Sequence, residues 1–128
     1  MNKLSKVESK YLKRDIPDFK SGDKVRVNIR IREENKERTQ SFEGIVIKRQ
    51  GSGTGKTFTI RKTSFNVGVE RTFLVNSPII QSIEKINIGI VRRSKLYYLR
   101  DKVGKKSRVR YKEYVVKWMI QIVCINVF

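Results

Sequence analysis

The sequence has no histidine, no alanine and a single cysteine, Cys124. Without imidazole and with one thiol, a Cys/His zinc site has too few ligands. A Ser-His-Asp triad or a Cys-His pair cannot be assembled for the same reason. A lone cysteine closes no internal disulfide, which fits a reducing compartment. Acids are scarce as well: 12 Asp+Glu stand against 30 Lys+Arg in 128 residues. They are scattered and outnumbered, which leaves a carboxylate metal site possible only on paper; no metal and no other cofactor is expected. Long apolar runs are also missing. Met1 to Asp15 has none, so no secretory signal is expected. The single run, Val115 to Phe128, has 11 apolar residues of 14, short of the ~20 that cross a bilayer.

What remains is a strongly basic chain with a formal charge of +18. Such an excess repels itself and calls for a polyanion, with nucleic acid first and an anionic membrane surface second. The 38% hydrophobic share still suffices for a small core. The missing alanine, beside 17 Lys and 15 Ile, points to an AT-rich coding genome, an organelle's or a bacterium's.

Periodicity divides the chain into segments. Leu4, Val7, Tyr11 and Leu12 recur at helical spacing, predicting a short amphipathic helix over 1–14 that ends at Ile16-Pro17. Val25, Val27, Ile29 and Ile31 alternate with Arg26, Asn28, Arg30 and Arg32, which predicts a strand with a basic outer face. Further strands are predicted over 40–48, 57–63, 69–75 and 79–90, with turns at 33–37 and 65–68. The 40–48 strand is apolar on both faces near its end, and Gly44 suggests a bulge or sharp bend. Five short, bent strands suggest a small barrel. From Lys85 to Lys112 there are 11 basic residues and one acid, Asp101. Residues 94–102 predict a helical turn or two, and 104–110 an extended basic arm that becomes ordered on a partner.

Several motifs have competing readings. Gln50-Gly51-Ser52-Gly53-Thr54-Gly55-Lys56-Thr57 resembles a phosphate-binding P-loop, but Gln50 stands where a glycine is required. The alternating residues after it predict a strand instead of the needed helix. A nucleotide-hydrolysing enzyme is therefore a secondary reading, beside a plain hairpin loop and a loop whose glycines and Lys56 approach an RNA phosphate. In Arg92-Arg93-Ser94-Lys95-Leu96-Tyr97-Tyr98-Leu99-Arg100, cations alternate with rings, a pattern suited to phosphates and bases. The plainer reading makes Leu96, Tyr97 and Leu99 core. On the basic barrel face, some of Arg26, Arg30, Arg32, Arg38, Arg61, Lys62 and Arg71 are expected to pair with Glu33, Glu34, Glu37, Glu43 and Glu70. The apolar tail is a packed segment, a partner contact or a shallow membrane contact. With the basic arm, it sustains a peripheral membrane reading.

Ordered blocks of sequence resemble the bacterial and plastid ribosomal large-subunit protein nineteen family. They are Arg14-Asp15-Ile16-Pro17-Asp18-Phe19 with Gly22-Asp23, Phe42-Glu43-Gly44-Ile45-Val46-Ile47, and Phe58-Thr59-Ile60-Arg61-Lys62. Gly68-Val69-Glu70-Arg71 with Phe73, Ser77-Pro78, and Val91-Arg92-Arg93-Ser94-Lys95-Leu96-Tyr97-Tyr98-Leu99-Arg100 complete the set. The resemblance covers roughly residues 4 to 112. It implies an SH3-like barrel with terminal extensions and binding to large-subunit ribosomal RNA near the subunit interface. It also implies a bridge to small-subunit RNA, contacts with neighbouring ribosomal proteins, and no catalysis. Asn87, Ile88 and Ile90 stand where members usually carry more basic residues, and Asn76 where many have His.

The expected organisation is an N-terminal helix (1–15), a barrel (16–90), a basic helix or arm (91–112) and an apolar extension (113–128) of unassigned role. The expected RNA-binding residues are Arg92, Arg93, Lys95, Arg100, Lys102, Lys105, Lys106, Arg108 and Arg110. Arg49, Lys56, Arg61 and Lys62 form a second tier on loops and strand ends. Arginine can fork onto phosphate oxygens, while lysine acts as a mobile point charge. Since the family pattern starts within a few residues of Met1, no transit peptide is expected. With the AT-rich usage, that favours a plastid-encoded protein of the stroma over a bacterial cytoplasmic one.

Overall fold

A computed structural model describes residues 2–13, 15–102 and 104–112. Alternation of apolar and polar residues builds most of it. Strands β1 (Lys24–Glu33), β2 (Lys36–Gln50), β3 (Thr57–Ser64), β4 (Val67–Leu74) and β5 (Ile80–Asn87) form one antiparallel sheet in the order β4-β3-β2-β1-β5. Strands β6 (Gly89–Ile90) and β7 (Arg110–Tyr111) make a small second ladder. A helix, α1 (Lys3–Tyr11), precedes them, and short 3-10 turns lie at Gly53–Gly55, Tyr97–Arg100 and Gly104–Ser107. The fold is mostly β, as the alternation predicts. The expected helix is shorter than 1–14, and it buries none of its residues.

Two apolar clusters lie on opposite sides of β2. Val25, Val27 and Ile29 of β1 meet Phe42 and Val46 of β2, Phe58 and Ile60 of β3, and Phe19 from the turn before β1. Phe58 packs edge-on against Phe19, with ring centroids 5.0 Å apart. The second cluster joins Ile47 of β2 to Leu96, Leu99 and Val109, flanked by Ile45, Val91, Tyr98 and Tyr111. The expectation that β2 is apolar on both faces therefore holds, and its second face carries the C-terminal basic segment.

The irregularity in β2 is at Ile47, not at Gly44. Val46 pairs with Ile60 and Lys48 with Thr59, so Ile47 is the extra residue of a bulge. Its carbonyl accepts from the Leu96 amide at 2.9 Å. Gly44 answers a different need, because a Cβ there would meet the Arg61 carbonyl and lie 2.7 Å from Ile60 Cγ2.

Several boundaries differ from expectation. The β1–β2 and β3–β4 hairpins are tighter, since the strands extend almost to each tip. The expected 79–90 strand is two strands. β5 leaves β1 after Asn87, and Gly89 then pairs with Tyr111. Gly89 packs directly on the Gly22 backbone, where a side chain would collide. The buried Asp23 carboxylate fixes this crossing by accepting from the Lys20 amide at 2.8 Å and the Gly89 amide at 2.9 Å.

The basic arm is not extended either. Residues 104–107 form a 3-10 turn, Val109 is buried, and the Lys112 amide donates to Ile88 at 2.8 Å. The arm borrows a core from Ile47, Leu96 and Leu99 rather than building its own. Glu70 of β4 adds a polar lock. Its carboxylate accepts from Arg100 at 2.8 and 2.7 Å and from Arg61 at 3.0 Å. The Arg100 hydrogen bonds hold the Glu70 carboxyl below its ordinary range, against the opposing effect of burial.

Two outcomes follow from this packing. Gly44→Ala should cost about 1–3 kcal/mol through overpacking, read as a lower urea midpoint; an unchanged midpoint contradicts the close crossing. Glu70→Gln should also destabilise the chain at neutral pH. A depressed folded pKa contributes stability above the unfolded value and loses it as pH falls through the folded one. The stability gap between parent and Glu70→Gln should therefore close on acidification, measured by urea unfolding across pH. A gap that stays constant into strong acid contradicts the lock.

Candidate nucleic-acid interface

Docking of the C-terminal segment on β2 opens two basic clefts. The first, about 480 Å³, lies between the β2–β3 loop, the turn before β1 and the chain after β6. Lys20, Arg49, Lys56, Arg92 and Arg93 line it, with Ser21, Gln50, Gly51, Val91 and Ser94, and no acid is among its lining residues. Arg49 is braced within it: its guanidinium donates to the Phe19 carbonyl and lies 4.9 Å from the Phe19 ring centroid. Asp18, outside the lining, reaches Arg49 at 3.8 Å; the concave, cation-rich array suits successive phosphates of a nucleic acid.

The second cleft, about 450 Å³, separates the outer face of β1–β3 from the C-terminal turns. Lys24, Arg61, Lys62, Lys102 and Arg108 surround an apolar floor of Ile45, Leu99, Val109 and Tyr111. Its one acid, Glu43, is engaged by Lys24 at 2.7 Å and Arg26 at 3.0 Å. Their hydrogen bonds, Lys24's first, lower its pKa and keep it an occupied anion. Burial pushes the Tyr111 hydroxyl up, so it stays neutral.

The expected residues therefore separate into groups. Arg92, Arg93, Arg49 and Lys56 share the first cleft, and Arg61, Lys62, Lys102 and Arg108 the second. Lys95, Lys105, Lys106 and Arg110 are exposed outside both. Arg100 lines neither cleft and is pinned to Glu70, which also engages Arg61. Lys20 and Lys24 were not singled out by sequence; their nearness to the Gly22-Asp23 turn is the signal that could have found them.

The rings of the basic block divide as well. Leu96 and Leu99 are core, but Tyr97 is exposed, contrary to the plain core reading. Tyr98 is half-buried between two cations, Lys102 at 4.9 Å and Arg93 at 5.4 Å from its centroid. On the sheet surface, Arg26, Arg32 and Arg38 pair with Glu43, Glu37 and Glu33, as expected, and Arg26 also reaches Glu84. Exposed pairs of this kind contribute only ~0–1 kcal/mol each.

The P-loop reading fails on geometry. Gly53–Gly55 is a 3-10 turn, and β3 begins at Thr57 where a phosphate-facing helix would have to start. Among the described residues, no helix is long and apolar enough to cross a membrane. The apolar element of the peripheral membrane reading, 115–128, lies outside the described residues.

Relatives extend the picture. The family profile described as Ribosomal protein L19 matches residues 2–112. The large ribosomal subunit protein bL19 of Clostridium novyi (strain NT) is 55% identical over 107 residues, spanning 84% of this chain and 92% of that protein. The profile covers α1, the sheet and both basic clefts, and leaves 113–128 unmatched. The chain belongs to the ribosomal protein L19 family and is a structural ribosomal protein, not an enzyme.

Proposed function

We propose that the chain is a structural constituent of the large ribosomal subunit that clamps large-subunit ribosomal RNA. The first cleft carries this reading, because five cations from three separate parts of the chain converge there and, among the described residues, no acid lines it. Lys102 and Arg108 of the second cleft, with Lys95, Lys105, Lys106 and Arg110 outside, provide further phosphate contacts. Arg61 and Lys62 line the same cleft; Arg61 and Arg100 act mainly as braces through Glu70.

The finer reading follows the family. The five-stranded sheet serves as an SH3-like barrel over 16–90, with the N-terminal segment 1–15 and the 91–112 basic segment as extensions. RNA is held near the subunit interface, with a bridge to small-subunit RNA and contacts to neighbouring ribosomal proteins; 113–128 is a separate extension. The Clostridium relative supports a bacterial cytoplasmic setting, while the AT-rich residue usage keeps the plastid stroma as the other source.

Charge reversal tests the clamp. A Lys105/Lys106/Arg108/Arg110 quadruple Glu variant should bind large-subunit RNA more weakly. Its log-affinity versus log-salt slope should flatten by roughly three units. Parental affinity and slope would remove the arm from the interface. The same replacement at Arg49, Lys56, Arg92 and Arg93 tests the first cleft, with the same expected loss.

A further inference from the structure

The β3–β4 hairpin ends in a two-residue turn. Ser64 pairs with Val67, leaving Phe65 and Asn66 at the tip with φ of 49° and 63°. Both residues occupy the left-handed region, as a type I′ turn requires. Asn tolerates that region, but Phe does not: the favoured sequence is Asn-Gly, and a bulky residue there is an outlier. The ring gains no packing in return. Phe65 is 99% exposed, beside Val67 at 63%. The turn thus holds an aromatic ring in open solvent at a conformational cost, a combination that points to function.

Resting on the RNA-binding reading above, we propose that Phe65 is a stacking finger for an unpaired nucleobase of ribosomal RNA. Three observations favour a base over a protein partner. The tip offers one ring with the exposed side chains of Val67 and Val69 behind it, far less than the ~800 Å² per partner of a standard protein interface. A ring open on all sides matches the flat face that every base presents. The charge behind the tip is also suited to RNA: Lys62 pairs with Val69 two rungs back from Ser64–Val67, with no acid between it and the tip, and Glu70 on the next rung is already occupied by Arg61 and Arg100. Asn66, exposed beside the ring, has an amide able to meet a base edge.

The test uses large subunits assembled with the full chain, irradiated at 254 nm, digested and analysed by mass spectrometry. The Phe65 peptide should carry a nucleotide mass. If it is unmodified or joined to another protein while arm peptides carry nucleotides, the finger is overturned and the RNA reading stands. If no peptide of the chain carries a nucleotide, both fall. A second variant guards against misfolding. Replacing Phe65-Asn66 with Asn-Gly should raise Tm by about 2–6 °C by relieving the turn. It should nevertheless weaken binding to large-subunit RNA about tenfold with an unchanged salt slope, because a base contact is lost and no phosphate contact is. A stabilised variant with parental affinity would overturn the finger.

Discussion

One inserted residue organises the molecule. By bulging out of the β2–β3 ladder, Ile47 gives up its place in the sheet, and its carbonyl receives the Leu96 amide instead. Its side chain turns to the face opposite the main core and meets Leu96, Leu99 and Val109. A buried backbone carbonyl needs a partner, and the C-terminal segment supplies it. Without that hook, the segment from Val91 to Lys112 would carry ten cations against one acid, and its 104–110 stretch has Val109 as its single apolar residue, a composition that does not fold unaided.

The hook has an electrostatic consequence. It draws Arg92 and Arg93 beside Arg49 and Lys56, and Lys102 and Arg108 beside Lys24 and Lys62. Bringing like charges together costs energy in the free protein, and apolar burial around Ile47 offsets that cost. The few acids are used as local braces: Glu70 joins the 97–100 turn to β4, Glu43 spans Lys24 and Arg26, and Asp23 ties the first turn to Gly89. The remaining cations face outward or into the clefts. Preorganised charge of this kind binds a polyanion without first ordering a flexible tail.

Much of this was legible in the sequence, and the reasons separate cleanly. Strand alternation at Val25, Val27 and Ile29 reports burial directly, and the one-signed charge of 91–112 marks a segment that lines both clefts. The double-faced end of β2 was also visible at Ile45 to Ile47. A bulge has no composition of its own, however, and Gly44 drew it away from Ile47. The folded arm was missed because a single apolar residue, Val109, anchors it, and the β2 residue that completes its cluster, Ile47, lies far away in sequence. Gly89 looked like one more residue of an alternating run. Its significance lies in the Gly22 backbone beneath it, which only the tertiary structure reveals. The inclusion of Lys20 and Lys24 in the clefts is a property of the crossing, not of any local motif.

In the proposed clamp, preorganisation matters most: the second cluster holds the cations in place for RNA. Leu96→Ala with Leu99→Ala removes no charge and leaves the main core of Phe19, Val25 and Phe58 untouched. Affinity of this double variant for large-subunit RNA should fall by at least about tenfold at fixed salt, with the sheet still folded by circular dichroism. Parental affinity would show that net charge alone suffices and would contradict the account.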